Sequence, residues 1–165
     1  MKRSTKEEKL QSIIQSEKFL NQTQDLDVLL ETLLTEARTI VNADAGSIYV
    51  VEEDRLRIKY AQNNTELKKL SAGEKLPFVS FSFPMNEYSI AGYVASKKEM
   101  LNIADVYNIA ADSTFKFNTQ PDKDTGYRTK SMLTIPLVAA SGKTLGVLQI
   151  INAQDQNANT IAFDE

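Results

Sequence analysis

Cysteine, histidine and tryptophan are absent from the 165-residue chain. Without cysteine or histidine, the chain itself cannot form disulfides, use a thiolate nucleophile, build a Cys/His zinc site or relay protons through imidazole. Haem or bilin attachment through cysteine and haem ligation by histidine are excluded for the same reason. Any catalytic chemistry in this chain would have to use carboxylates, hydroxyls, lysine or tyrosine.

Strong charge and long apolar runs are also lacking. The formal net charge of −3 is too small to indicate a nucleic-acid partner. No stretch approaches about 20 consecutive apolar residues, and the N-terminus leads into charged residues, not into an apolar run. We therefore expect one domain of ordinary size in the cytoplasm, without a membrane partner.

Two helices are predicted at the start of the chain. The apolar residues of segment 6–22 fall near one face, which fits either a helix packed on the domain or half of a dimeric coiled coil. A second helix begins after Asp25, a plausible N-cap, and carries an apolar stripe as far as Val41.

Short strands dominate the rest of the chain. β-branched, aromatic and alternating segments predict strands at residues 47–52, 55–60, 80–83, 100–103, 131–140 and 143–152. Ser89 is expected to cap a short helix over residues 90–98, and Pro136 predicts a bulge or a sheet edge. Residues 121–126 read as a turn and residues 154–160 as a loose tail. Antiparallel strands with helices at the ends predict an α+β fold.

Four segments, taken together and in this order, resemble GAF domains. They are ADAGS at residues 43–47, SIAGYVA to LNIADVY at residues 89–107, TGYRTKSMLTIPL at residues 125–137 and GVLQIIN at residues 146–152. The resemblance covers roughly residues 26–165 and is strongest to the cyclic-nucleotide phosphodiesterase and adenylate cyclase group.

This resemblance implies both architecture and function. It implies a central antiparallel sheet with helices on one face and, on the other, short helices and loops over a ligand pocket. Residues 1–22 would be a linker helix, and residues 23–165 the GAF domain, ending where a C-terminal helix starts. The domain would be a non-catalytic sensor of a larger signalling protein, homodimeric through its terminal helices. Its effector would be an HD-GYP phosphodiesterase, a cyclase or a kinase.

The ligand implied by the resemblance is a small molecule such as cAMP or cGMP, with no cofactor required. The alternative is a ligand-free dimerisation module whose pocket is plugged by Tyr88 or Phe117. A GAF-type free-methionine-sulfoxide reductase is set aside because its chemistry needs cysteines. One departure concerns ligand binding: relatives carry an Asn-Lys pair whose lysine pairs with an aspartate, whereas Asn152 is followed by Ala153. The Phe163, Asp164 and Glu165 that accompany this pair remain.

The start of the short helix is the first candidate site. The first N–H groups of a helix lack internal partners and carry partial positive charge, and the small Ala91 and Gly92 would let an anion approach. An ordinary capped helix is the other interpretation of the same residues. Relatives that bind cyclic nucleotides place the phosphate there, which implies a ligand at Ile90 and Ala91.

Two further groups of polar residues complete the candidate site. The hydroxyls of Thr125 and Thr129 and the carboxylate of Asp122 could contact phosphate or ribose, or could simply form a turn and a strand. A second group could form hydrogen bonds with the edge of a purine. Its residues could equally lie on the solvent-exposed face of a strand. Its polar members are Ser47, Gln62 and Gln149. For Arg128 we expect a salt bridge.

Overall fold

The computed structural model describes residues 26–74, 76 and 80–164. The chain divides into two compact units, residues 1–33 and 34–165. The described part of the first unit is helical, and everything below concerns the second unit. The predicted helix over residues 6–22, with its coiled-coil alternative, lies outside the described residues.

An antiparallel sheet of seven strands organises the second unit. The spatial order is β3-β2-β1-β6-β5-β4, with β7 paired to β6. The strands are β1 (Ala43–Glu52), β2 (Arg55–Asn63), β3 (Ser82–Pro84), β4 (Leu101–Ile103), β5 (Met132–Val138), β6 (Thr144–Gln154) and β7 (Thr160–Ile161). The long strands β1 and β6 lie in the middle and pair along most of their length. Runs of β-branched and aliphatic residues buried on both faces explain this central position.

Helices cover both faces of the sheet. They are the second-unit part of α1 (residues 34–40 of a helix over residues 26–40), α2 (Asn64–Leu67), α3 (Ile90–Lys97), α4 (Gln120–Thr125) and a 3-10 turn (Val106–Asn108). On one face, Leu34 and Arg38 from the last turns of α1 pack over Gly46; a methyl group there would lie 2.9 Å from Leu34 Cδ1. Glycine at position 46 therefore lets the helix approach the sheet closely.

The opposite face of the sheet packs against α3. Tyr49, Leu56 and Val147 form a core with Val94 and Ala95 from the helix. A second core joins Ile90, at the start of α3, to residues of the 3-10 turn and β5. The α+β prediction is thereby confirmed, with helices on both sides of one antiparallel sheet.

Three local predictions were wrong. Strand β1 begins at Ala43, before the predicted start at residue 47, because Ala43 pairs with β6 and residues 45 and 46 pair with both β2 and β6. Residues 121–126 form α4 with proline at its start and Gly126 in the left-handed conformation (φ 73°) at its end, which are helix boundary signals. The tail contains β7, paired with β6.

Pro136 lies at a free edge, which confirms one of its two predicted environments. Strand β4 pairs with β5 only as far as Thr134, so Pro136 faces β6 on one side and no strand of the described residues on the other. An unpaired edge is where the missing N–H costs least.

Gly92→Ala should destabilise the domain, although alanine favours helices over glycine by about 1 kcal/mol. The added Cβ would overlap the carbonyl oxygen of Asn86 and lie 2.8 Å from Ser89 Oγ. Overpacking of this kind costs about 1–3 kcal/mol, so we expect a net loss of about 1–2 kcal/mol in urea unfolding. Ser96→Ala, at an exposed position of the same helix, is the control and should be neutral or mildly stabilising. A stability gain for Gly92→Ala would contradict the close approach of Asn86.

Candidate functional site

A cavity of about 600 Å³ opens between the sheet, the start of α3 and α4. Alternation along β1 and β6 turns Ala45, Ser47 and Tyr49 toward it, together with Gln149 and Ile151. All eight residues proposed from the sequence as ligand-binding line this one cavity. Their order in the chain is Ser47, Gln62, Ile90, Ala91, Asp122, Thr125, Thr129 and Gln149. The sheet therefore brings together residues that lie up to about 100 positions apart.

Aromatic rings form much of the cavity wall. Tyr49 meets Phe83 edge-on at 5.5 Å between ring centroids, and Phe81 stacks on Phe83 at 6.2 Å. On the other side Phe117 packs at 5.3 Å against Tyr107. These rings combine core packing with an apolar lining that suits a flat heterocycle.

The alternative in which an aromatic side chain plugs the pocket finds no support in this arrangement. Tyr88 stands at the rim with 72% of its surface exposed. Phe117 packs among Tyr107 and the core around Ile90. Neither ring fills the cavity.

The start of α3 presents a backbone donor to the cavity. Ser89 accepts from the N–H of Gly92 through its Oγ (3.0 Å) and from the N–H of Tyr93 through its carbonyl (2.8 Å). The N–H group of Ala91 has no acceptor in the part of the chain that the structure describes, and that of Ile90 faces the Lys116 carbonyl across the bridge between Ser89 and Lys116. Both residues line the cavity. This end of the cavity therefore suits an anion.

A cation that sequence reasoning missed stands beside this helix start. Lys116 lines the cavity because its backbone pairs with Tyr88 and Ser89; its N–H donates to the Tyr88 carbonyl at 2.9 Å. Its Nζ donates to the carbonyl of Ala111 at 2.6 Å. No motif surrounds Lys116 in the sequence, and only the long-range pairing with the α3 entry identifies it.

Asp122 fixes α4 to the chain that enters β5. Its carboxylate accepts from the Thr129 N–H (2.8 Å), the Thr129 hydroxyl (2.8 Å) and the Tyr107 hydroxyl (2.9 Å). Because Asp122 and Thr129 are both buried, these bonds satisfy the charge inside the protein. The two residues line the cavity, and their hydrogen bonds are with each other and with Tyr107.

Thr125 and Gln62 also have protein partners. The Thr125 hydroxyl donates to the Pro121 carbonyl (2.9 Å) and accepts from the Tyr127 N–H (3.1 Å). The amide of Gln62 accepts from Arg38 (2.7 Å) and donates to Thr35 Oγ1 (2.9 Å). Both contacts arise because Gln62 lies opposite Gly46, the residue over which Leu34 and Arg38 pack. A ligand that used the Gln62 amide would have to replace one of these bonds.

The floor of the cavity carries a less well satisfied amide. Gln149 is opposite Ser47 on β1 and Thr134 on β5, and only 7% of its surface is exposed. Its Nε2 lies 3.3 Å from Met132 Sδ and 3.4 Å from Thr134 Oγ1. Burial raises the pKa of the neighbouring Tyr49 hydroxyl, and a bond with Ser47 partly opposes that rise.

Asn152 joins β6 to the segment between α4 and β5. Its Oδ1 accepts from the Lys130 N–H at 2.7 Å, and its Nδ2 donates to the Tyr127 hydroxyl (2.9 Å) and the Arg128 carbonyl (2.8 Å). The residue is buried and left-handed, with φ 57°. Asparagine tolerates this conformation better than most residues. Three bonds from one side chain thus hold the chain that follows α4.

Tyr127 extends these bonds to the end of α1. Its hydroxyl donates to Asp44 Oδ2 at 2.9 Å, and the Asp44 carbonyl accepts from Arg38 at 2.7 Å. Burial lowers the pKa of Arg38, and the Asp44 charge opposes this. Burial and the bond to Asp44 raise the pKa of Tyr127 well above its usual value. We name Arg38, Asp44, Tyr127 and Asn152 the polar chain.

No lysine stands beside Asn152, as the sequence indicated. Ala153 is buried opposite Ala43 and Ile161, and its N–H donates to Ser131 Oγ at 3.1 Å. Phe163 is buried, and its carbonyl accepts from Asn102 Nδ2 at 3.2 Å. Hydrogen bonds of Asn152 and Ser131 therefore hold this end of β6.

The salt bridge expected for Arg128 is replaced by an aromatic contact. Its guanidinium carbon lies 3.6 Å from the centroid of the Tyr107 ring. This cation–π pair covers the ring whose hydroxyl bonds Asp122. Arg128 therefore supports the attachment of α4 and is not among the residues that line the cavity.

Metal-binding and membrane-spanning features were searched in the described residues. No group of three or more acidic side chains there could hold a metal ion. No described helix is both long and apolar enough to cross a bilayer.

Comparison with known proteins identifies the family. The GAF domain family model matches residues 25–165, so the chain belongs to the GAF family. The cGMP-specific 3',5'-cyclic phosphodiesterase of Drosophila sechellia is 31% identical over 148 residues, which are 86% of this chain and 11% of the phosphodiesterase. The chain is thus homologous to a small part of that much longer enzyme, and a GAF domain is a regulatory module.

Solved structures agree on the fold. The GAF domain of a phosphoenolpyruvate-protein phosphotransferase from Coxiella burnetii has a TM-score of 0.57 and 21% identity, covering 90% of this chain and 80% of that chain. Free methionine-R-sulfoxide reductase from Neisseria meningitidis has a TM-score of 0.53 and 16% identity, covering 81% and 68%. Identities this low show a common fold alone.

Asn152→Ala should reduce the free energy of unfolding by about 2–4 kcal/mol. The substitution leaves the Lys130 N–H and the Arg128 carbonyl without partners and places alanine at a positive φ. Urea unfolding measures the loss. Asn152→Gly avoids only the cost of a positive φ, so it should be about 1 kcal/mol more stable than Asn152→Ala. Asn157→Ala, in an exposed turn, is the control and should change the free energy of unfolding little. A loss below 0.5 kcal/mol, on the scale of roughly neutral surface changes, would contradict this role.

Tyr127→Phe should flatten the loss of stability at alkaline pH. The pKa of Tyr127 is raised above the ordinary tyrosine value of about 10, so the native state keeps a proton that the unfolded chain releases. Stability is therefore fully present below pH 10 and falls as the pH rises from there toward the native pKa. Urea unfolding at pH 7, 9, 10 and 11 measures the slope. The variant should start less stable at pH 7 and fall less steeply above pH 10; parallel curves would contradict the assignment.

Proposed function

We propose that residues 23–165 form a non-catalytic sensing domain that binds a cyclic nucleotide, cAMP or cGMP, in the cavity beside α3. The observation that carries this proposal is the cavity itself. At about 600 Å³, lined by aromatic rings, it has the start of α3 with the unpaired N–H of Ala91 on one wall and a carboxamide in its floor. An anion with an attached flat heterocycle matches both features.

The phosphate belongs at the start of α3 in this proposal. The N–H group of Ala91 can donate to its oxygens, and Lys116 adds positive charge at the same wall. The base belongs on the sheet floor, near Tyr49 and Gln149. The homology to a cGMP-specific phosphodiesterase supports the same ligand class.

Ligand binding would be communicated through the polar chain. α4 is tied by Asp122 to Thr129, and the intervening Tyr127 bonds Asp44, whose carbonyl bonds Arg38 on α1. A ligand that draws residues 108–124 over the cavity would pull on Tyr127 and change how residues 34–40 pack on the sheet. The signal available equals the ligand's difference in affinity for the two states.

The rest of the proposed setting follows from the family. The domain would act in the cytoplasm as a homodimer through its terminal helices. It would regulate an HD-GYP phosphodiesterase, cyclase or kinase elsewhere in a longer protein, as the small share of the relative's length supports.

Ser89→Asp should weaken cyclic-nucleotide binding at least about tenfold relative to Ser89→Asn. Both replacements can cap α3, as serine does now, but only aspartate places a negative charge where the phosphate would lie. Isothermal titration calorimetry with cAMP and cGMP measures the difference, and thermal unfolding checks that both variants keep the fold. Equal affinities of the two variants would contradict the placement of the phosphate at the start of α3. If the native chain bound neither nucleotide, the proposal of a cyclic-nucleotide ligand would be wrong.

A further inference from the structure

The orientation of the Gln149 amide is fixed by its neighbours. The structure places the NH₂ of the amide 3.3 Å from Met132 Sδ, and this orientation suits a thioether sulfur, which accepts hydrogen bonds and does not donate them. The Thr134 hydroxyl, fully buried, lies 3.4 Å from the same nitrogen and can accept from it. Exchanging the amide oxygen and nitrogen would set two acceptors against each other at the sulfur. The carbonyl oxygen Oε1 therefore points the other way.

Oε1 is an acceptor without a donor. No described group hydrogen-bonds it. Among the described residues, one side-chain polar atom is fully buried and has no hydrogen-bond partner. It is the Nε of Arg38. Oε1 must consequently retain some accessible surface, and for a residue 93% buried that lines the cavity this surface faces the cavity.

We propose that Gln149 makes the cavity floor selective for heterocycles that present an N–H donor, such as a ring amine or a lactam N–H. This inference rests on the proposed function, because it supposes that the cavity takes a heterocyclic ligand. It adds which hydrogen-bonding group of the ligand the cavity floor recognises. Oε1 accepts from the ligand while Nε2 stays committed to Met132 and Thr134.

Selection follows from the cost of leaving this acceptor unpaired. In the free protein, water in the cavity can solvate Oε1. A ligand that displaces the water without supplying a donor leaves a desolvated carbonyl, whereas a ligand with an N–H restores the bond. Sites built around a buried polar group reject analogues that lack the matching group for this reason. Ser47, which lies opposite Gln149, is bonded to the Tyr49 hydroxyl, and other floor groups such as Met132 and Ile151 are apolar.

The test compares matched ligands on matched variants. The ligand pairs are cAMP with 6-chloropurine riboside 3',5'-cyclic monophosphate, and adenine with 6-chloropurine. In each pair chlorine replaces the amine at similar size and removes the donor. The variants are Gln149→Met, which keeps the shape without the amide, and Gln149→Glu, which restores a carbonyl-type acceptor. Calorimetry follows the nucleotides, ligand-observed NMR follows the free bases, and circular dichroism checks the fold.

The native chain should prefer the amine of each pair by about tenfold. Gln149→Met should lose that preference by weakening only the amine-bearing ligand, and Gln149→Glu should keep it. If cyclic nucleotides bind but the preference survives in Gln149→Met, the inference is overturned and the proposed function stands. If adenine binds with this preference and neither cyclic nucleotide binds, the proposed ligand class falls and the inference stands. If nothing binds, or neither pair is distinguished, the inference is overturned.

Discussion

One carboxamide at a left-handed position, that of Asn152, connects the end of β6 to the segment between α4 and β5. It satisfies a buried N–H and a buried carbonyl of that segment and also bonds the Tyr127 hydroxyl. A segment without regular structure can lie against a sheet only if its backbone groups find partners. The position of α4 above the cavity, the bond between Tyr127 and Asp44 and the contact of Arg38 with β1 all depend on this attachment.

The polar residues that line the cavity divide by what they already bind. One set already forms hydrogen bonds within the protein and so fixes the cavity wall: Thr129 donates to Asp122, and Thr125 donates to the Pro121 carbonyl. The N–H group of Ala91 and the Oε1 of Gln149 have no described protein partner. A rigid wall with a few uncommitted groups is what a preformed ligand site requires, because little conformational freedom is then lost on binding.

Local signals explain what the sequence could predict. Ser89 before an apolar pattern identified α3, strand-like segments at residues 131–140 and 143–152 identified the last two long strands, and ordered motifs identified the family. Strand alternation was enough to place Ser47 and Gln149 on the floor. The contacts of Tyr127 with Asp44, 83 positions away, and of Gln62 with Arg38 have no local signature, since they depend on the register between distant strands. Lys116 was missed for the same reason, and α4 because proline and glycine were read as a turn when they mark a helix start and end.

The replacement of the family's lysine by Ala153 changes how this end of the domain is held. A lysine ion pair would bring charge to a position that is 3% exposed, where desolvation offsets most of the Coulomb attraction. Here neutral donors and acceptors, from Asn152, Ser131 and Asn102, perform the attachment. Neutral hydrogen bonds are individually modest, so several must be made at once and each depends on geometry. An attachment of this kind is sensitive to small movements of Tyr127 and Arg128, which follow directly after α4. The absence of the lysine is therefore compatible with the proposed ligand-dependent movement, for which the polar chain would be the route to residues 34–40 of α1.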